Sequence, residues 1–274
     1  MPTLTGAVKK TLAYSAYFGF PLFPHEVHRW LISSRRTPPN KVLAQKIPAL
    51  STHEINYRHQ LEISAREKMS QAKKVASFLG RIPTIQLVAV TGSVAVGNVR
   101  DNDDIDILIV TSAHALWLTR LLVIFLLSVF FHRRLPRQSH RQAAGSICPN
   151  LWLETGSLKV PTNRRNLYTA HEVLYVTPVF DRSSIHENFL RENHWVSRFL
   201  ANAYPAVPEK TSADNPVSFS ILLFPLNLLA FIIQYIYMKP KITHEDITLH
   251  SAYFHTQNFA RKISRHLSKI IRIR

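Results

Sequence analysis

Sulfur is scarce in this chain of 274 residues: Cys148 is its sole cysteine. That excludes an intrachain disulfide and a multi-cysteine zinc site, and it fits a reducing compartment. Beside Pro149 in an apolar context, the thiol reads as a buried, inert group rather than a nucleophile. Acid is also in short supply, with 17 Asp and Glu against 34 Lys and Arg, a formal charge of +17. The excess favours anionic partners such as nucleotides, nucleic acid or an acidic membrane surface, without choosing among them. A generally basic protein with no polyanion partner fits equally well. None of the 14 histidines is spaced His-x-x-x-His, and His25 with His28 has no third ligand nearby, so no zinc site is expected. Lys9 and Lys10 precede an aromatic stretch broken by Gly19, Pro21 and Pro24. It has neither a long apolar run nor a cleavage site, so no signal peptide is expected. Internal repeats and low-complexity tracts are absent.

What is there divides into three regions. Residues 8–32 predict two short helices around a tight turn, with Pro24 at the first turn of the second. Such a unit suits a helix-turn-helix or winged-helix-like module over 1–56, for nucleic-acid contact or for packing and partner docking. Residues 57–79 predict a basic helix with Ile63, Met69, Val75 and Phe78 on its buried face. Strands follow over 85–90, 104–110 and 147–153, with Ser112 placed to cap the intervening helix. Pro149 marks an edge or a strand start. The fold class expected is α+β, a small mixed-sheet core over 57–182 with a C-terminal helical region over 183–274.

Two apolar segments admit two readings. His114 to Phe131 carries one charge, Arg120, and Val217 to Met238 carries none. The second is long enough to span a bilayer, with Lys239 and Lys241 marking a cytoplasmic end. Pro225, Asn227 and Gln234 interrupt it, as suits a buried helix instead. The last residues, Arg261 to Arg274, predict a basic amphipathic helix with Ile263, Leu267, Ile270 and Ile271 on one stripe. It packs on its own domain or lies on an anionic surface. The location expected is cytoplasmic, peripheral to or anchored in a membrane if these segments meet lipid.

Residues 91–108 narrow the chemistry most. Gly92-Ser93 follows an apolar run, and Asp104-Ile105-Asp106-Ile107 opens the next. Carboxylates at i and i+2 of a strand share a face and repel, so a cation is expected between them. A P-loop is excluded: Gly92 and Gly97 have its spacing, but Asn98 and Val99 replace the lysine and the hydroxyl. A calcium loop from Asp101 would need glycine where Asp106 stands. The dinucleotide pattern Gly-x-Gly-x-x-Gly is missing.

Strand, Gly-Ser turn, short helix and a strand bearing Asp-x-Asp together resemble the polymerase-beta-like nucleotidyltransferase superfamily. The matching residues are Gly92-Ser93 and Asp104-Ile-Asp-Ile-Leu108. More weakly, stretches such as Lys10-Thr-Leu-Ala-Tyr14, Leu116-Trp-Leu-Thr-Arg120, Leu167-Tyr-Thr-Ala-His-Glu172 and Phe254-His255 resemble a group of uncharacterised bacterial or archaeal nucleotidyltransferase-domain proteins. The resemblance implies that Gly92 and Ser93 hold a nucleoside triphosphate's phosphates and that Asp104 and Asp106 bind one or two Mg2+ ions. Ser93 is then a phosphate ligand and not a nucleophile, and Asp103 shapes the turn. A third carboxylate is implied on a later strand. Glu154 is the candidate, while Asn150 stands where an acid is usual and Glu172 is a second candidate read as structural. Arg100 meets phosphate or is an ordinary surface arginine. The activity implied is transfer of a nucleoside monophosphate to an unidentified hydroxyl acceptor, the alternative being a non-catalytic nucleotide- or nucleic-acid-binding regulator.

Overall fold

Six segments, of which the first two are rich in isoleucine, valine and leucine, pair into one sheet: β1 (Ile85–Val90), β2 (Ile105–Thr111), β3 (Ile147–Glu154), β4 (Thr177–Asp181), β5 (Asp246–Ile247) and β6 (Ser251–Tyr253). The computed structural model describes residues 3–135, 138, 143–207, 222–243, 245–254 and 258–272. The strand order is β4-β1-β2-β3-β6-β5. Strands β2 and β3 run parallel and the other neighbours antiparallel, so the sheet is mixed and the fold α+β. The helices are α1 (Leu4–Tyr17), α2 (Pro24–Arg29), α3 (Pro39–Leu43), α4 (Thr52–Leu79), α5 (Gly92–Val96), α6 (Leu116–Phe130), α7 (Leu167–Tyr175), α8 (Ile185–Glu192), α9 (Phe224–Met238) and α10 (Asn258–Arg272).

Both faces of the sheet are covered, so its central strands are apolar on both sides. Ile105, Ile107 and Ile109 of β2 join a core with Trp117 and Val123 of α6, Val75 of α4 and Ala230 of α9. Leu108 and Val110 point the other way, to a core with Tyr14 of α1, Val173 of α7, Phe189 of α8, and Ile263 and Leu267 of α10. By alternation Asp106 belongs to this second face. The packing reading of the C-terminal helix is the one seen, since Ile263 and Leu267 are buried. The side chains of Ile270 and Ile271, and residues 273–274, lie outside the described residues, as do His255 and 217–221 of the apolar segment.

Helix α4 begins with a capping box: Glu54 N donates to Ser51 Oγ, and Ser51 N donates to the Glu54 carboxylate. Its buried stripe is Leu61, Ala65, Lys68, Ala72, Val75, Ala76 and Leu79. Ile63, expected in that stripe, is exposed. Small alanines set the stripe, and a hydropathy reading passes over them. At the amino end, α1, α2 and α3 bury Val8, Val27, Leu31 and Val42 against Leu61 of α4. Arg58 of α4 lies under the ring of Phe20, with its guanidinium bonded to both oxygens of Glu26 at 2.9 Å. Among described residues up to 56, the sole extended pairing is a bridge from Ser33 to Leu200. The two expected helices are present; the strands of a wing are not.

Pro149 sits in β3 at a register shift, where Ile107 faces Pro149 but Leu108 faces Leu151. Strand β6 pairs only with Leu151–Leu153, so the missing N–H falls where β3 is an edge, as its sequence predicts. Ser112 does not cap α6; its hydroxyl accepts from Gln86 Nε2. The first turn of α6 is capped from α9. Asn227 Oδ1, fully buried, accepts from Trp117 N at 2.7 Å and Leu118 N at 3.2 Å. Replacing Asn227 with Leu is expected to lower stability by about 1–3 kcal/mol, because two buried helix amides lose their acceptor. Urea unfolding read by tryptophan fluorescence measures it.

Candidate active site

The turn after β1 is built on glycine. Gly92 has φ +63°, a left-handed conformation. A Cβ on it would lie 2.7 Å from Asp106 Oδ2, so the turn sits directly against that carboxylate. Thr91 N donates to the Asp106 carbonyl at 2.9 Å, tying the turn to β2. Helix α5 ends at Gly97, φ +81°. Ser93 is half-buried at the start of α5.

The loop before β2 is organised by a buried lysine. Lys68 Nζ donates to the carbonyls of Arg100, Asp101 and Asp103 at 2.8, 3.2 and 2.7 Å. Asp103 Oδ2 accepts from Arg100 N at 2.9 Å, so Asp103 shapes the turn as its place suggests. Arg100 itself is exposed.

Asp104 and Asp106 converge. One ligand atom from each and the Cys148 sulfur lie within 4.8 Å of one another. Burial, then the Asp104 charge and then that of Glu172, push the Asp106 carboxyl well above the ordinary carboxylate range. Asn150 Nδ2 donates to Asp106 Oδ1. Arg134, just beyond α6, donates from Nη1 to Asp104 Oδ2 at 2.6 Å. The cation expected between the acids is thus partly supplied by the chain's own arginine.

The structure does not bring Glu154 to this site. Cys148 faces Asp106 across the β2–β3 ladder, whereas Glu154 faces Thr111 at the other end. Thr111 is five strand steps from Asp106, about 17 Å. There Glu154 is 2 % exposed and its Oε2 meets His250 Nδ1 at 2.8 Å. Glu154 therefore stands at the opposite end of β3 from Cys148 and Asp106. Asn150 takes the position beside Asp106. A further carboxylate that acts on Asp106 is Glu172, on α7, which packs against α5. Its charge acts on Asp106, and burial raises its own carboxyl to about 7. A cavity of about 110 Å³ opens here, lined by Thr91, Asn150, Tyr168 and Glu172 at the carboxylate end. Leu153 and Phe189 line its apolar depth.

The donor set suits a hard divalent cation. Burial and the neighbouring Asp104 carboxylate both disfavour the charged form of Asp106, and a doubly charged ion between the two would favour it. Burial raises the Cys148 pKa, keeping it a thiol and leaving the ligation to oxygen. Arg134 and Lys68 escaped the sequence reading. A His-Arg-Arg run after an apolar helix was the only signal for the first. Nothing local marked the second, since its partners are carbonyls more than 30 residues on.

Residues 69–142 match the family model described as nucleotidyltransferase domain. The match runs from the middle of α4 through the Gly-Ser turn and both aspartates, and stops before Asn150 and Glu172. No curated protein and no solved structure matches the chain. With a strand, a glycine turn set against the second aspartate and a paired first aspartate in the family's order, residues 69–142 are a nucleotidyltransferase domain of the polymerase-beta-like superfamily.

Proposed function

We propose that the protein is a magnesium-dependent nucleotidyltransferase that moves a nucleoside monophosphate from a nucleoside triphosphate to a hydroxyl acceptor. The observation that carries this reading is the meeting of the Asp104 and Asp106 carboxylates at the Gly92 turn. Asp104 and Asp106 would hold the metal, which when bound neutralises the triphosphate and favours departure of pyrophosphate. Gly92 leaves room for phosphate and the Ser93 hydroxyl donates to it. Lys68 fixes the loop that carries Asp104. We assign the role of third carboxylate to Glu172, which lines the cavity, instead of Glu154. A carboxyl titrating at about 7 is suited to taking the proton from the acceptor hydroxyl. The acceptor oxygen then bonds to the α-phosphorus, the α–β bridge breaks, and the proton rests on Glu172.

The test is incubation with each α-labelled nucleoside triphosphate and Mg2+, reading pyrophosphate release and transferred label. Glu172→Gln is expected to lower turnover about 10²–10⁴-fold, the range of a general base, with triphosphate binding unchanged. Equal turnover in this variant would remove Glu172 from the mechanism.

A second reading, a non-catalytic nucleotide- or nucleic-acid-binding regulator on a degraded core, is favoured by two observations. Asp104 is bonded to Arg134, and an amide stands at Asn150 where an acid is usual. Absence of pyrophosphate release alongside salt-sensitive nucleic-acid binding would select it. By function the chain divides into a winged-helix-like helical module over 1–56, a nucleotidyltransferase core over 57–182 and a C-terminal helical region over 183–274. Helix α4 crosses the first boundary, and β5 and β6 of the third region complete the sheet.

A further inference from the structure

Helix α9 is inside out. Its buried residues are Asn227, Ala230 and Gln234, and both polar side chains serve α6. Asn227 caps it, while Gln234 donates to the Trp117 carbonyl at 2.8 Å and accepts from Arg120 at 2.5 Å. The outward side is apolar: Leu229, Ile233 and Ile236 are each more than half exposed. Helix α6, packed beside it, adds Phe125, Val129 and Phe130, exposed to the same degree. A helix at a water-facing surface carries the opposite pattern, and exposed apolar side chains concentrated on two packed helices mark an interaction site.

Charge decides what covers it. Neither α6 nor α9 contains an acidic residue. Basic groups stand at the edges. Lys239 follows α9 and is exposed. Arg133 follows α6 and donates back to Ser128 Oγ at 2.8 Å. Exposed Lys74 and Arg81 flank Phe78 of α4, whose ring lies 5.7 Å from that of Phe130. A second copy docked about a twofold axis would set this rim, on a chain of +17, against itself. Anionic headgroups would neutralise it while acyl chains take the apolar face. Each helix has 15 residues, about 22 Å, against a hydrocarbon core of about 30 Å. Among described residues no helix is long and apolar enough to cross a membrane. We infer that α6 and α9 form a monotopic docking face for an anionic lipid bilayer, lying in its surface. Arg134, bonded to Asp104, lies four residues beyond the end of α6, so a short segment links this face to the carboxylate site.

The inference does not rest on the transferase reading, and its test uses no nucleotide. The full chain is floated with phosphatidylcholine vesicles containing about a quarter phosphatidylglycerol. Most of the protein is expected at the top of the gradient. The double variant Phe125→Glu/Ile233→Glu, altered only at exposed positions, is expected to bind at least about tenfold less while keeping its melting temperature. Lys239→Glu is expected to weaken binding to these vesicles about fivefold and to have no effect with pure phosphatidylcholine. Two results would overturn the proposal: wild type that stays at the bottom with the anionic vesicles, or a wild-type dimer that the double variant splits.

Discussion

Asp106→Asn is expected to abolish magnesium-dependent nucleotide transfer while making the metal-free protein more heat-stable. The first effect follows from the loss of a metal ligand. An ion at this position supplies several kcal/mol of transition-state stabilisation, and about 4 kcal/mol is a factor of about 10³ in rate. Adding Asp104→Asn should lower turnover little further, because residues that act as a unit do not sum. The second effect follows from the raised carboxyl. Below about pH 4 Asp106 is protonated whether the chain is folded or not, and it contributes nothing. As pH rises, the unfolded chain releases this proton and the folded one retains it, so stability falls until the raised folded value is passed. Asparagine keeps the acceptor for Asn150 and never ionises. Thermal melts in chelator should therefore show the variant above wild type near neutral pH, with the gap closing toward pH 4. Turnover that survives the substitution would sink the metal-site assignment.

Gly92→Ala carries the second large effect. The residue must adopt φ +63°, which costs an L-residue about 1–2 kcal/mol. Its Cβ arrives 2.7 Å from Asp106 Oδ2, and relieving such an overlap in a packed interior costs about 1–3 kcal/mol more. The carboxylate must shift, and a misplacement near 1 Å costs about 10² in rate. Gly97→Ala is the control. It has φ +81° and nothing within 4 Å of a new Cβ, so it should lose about 1–2 kcal/mol and keep its turnover. Calorimetry and steady-state pyrophosphate release on the two variants separate backbone strain from displacement of the carboxylate. Equal turnover in both variants would show that the Gly92 turn does not hold Asp106.

The strands were legible because they are short, mostly apolar runs bounded by turns. Observed β1, β2 and β3 differ from the expected spans by a residue at most. Gly92, Ser93, Asp104 and Asp106 were legible as one contiguous pattern, within 15 positions of one another. The places of Glu154 and Glu172 were not. They depend on the register of β3 on β2, which shifts around Pro149, and on the placement of α7. Both are tertiary facts. The wing failed for a related reason: two helices around a turn are a local signal, but the sequence after them holds no strand pair to finish the motif. The α6 cap was misplaced because the side chain that satisfies its amides comes from another helix.

That distant cap bears on how the chain is made. Asn227 and Trp117 are 110 residues apart, a span that takes a ribosome about 5–20 s to extend. During that interval α6 has left the exit tunnel with its leading amides unanswered and its apolar sides uncovered. The parallel pairing of β2 with β3 can form on the nascent chain, but the layer over it stays provisional until α9 arrives. Vectorial synthesis therefore leaves this protein with a late and sticky intermediate, the kind of species that chaperones bind.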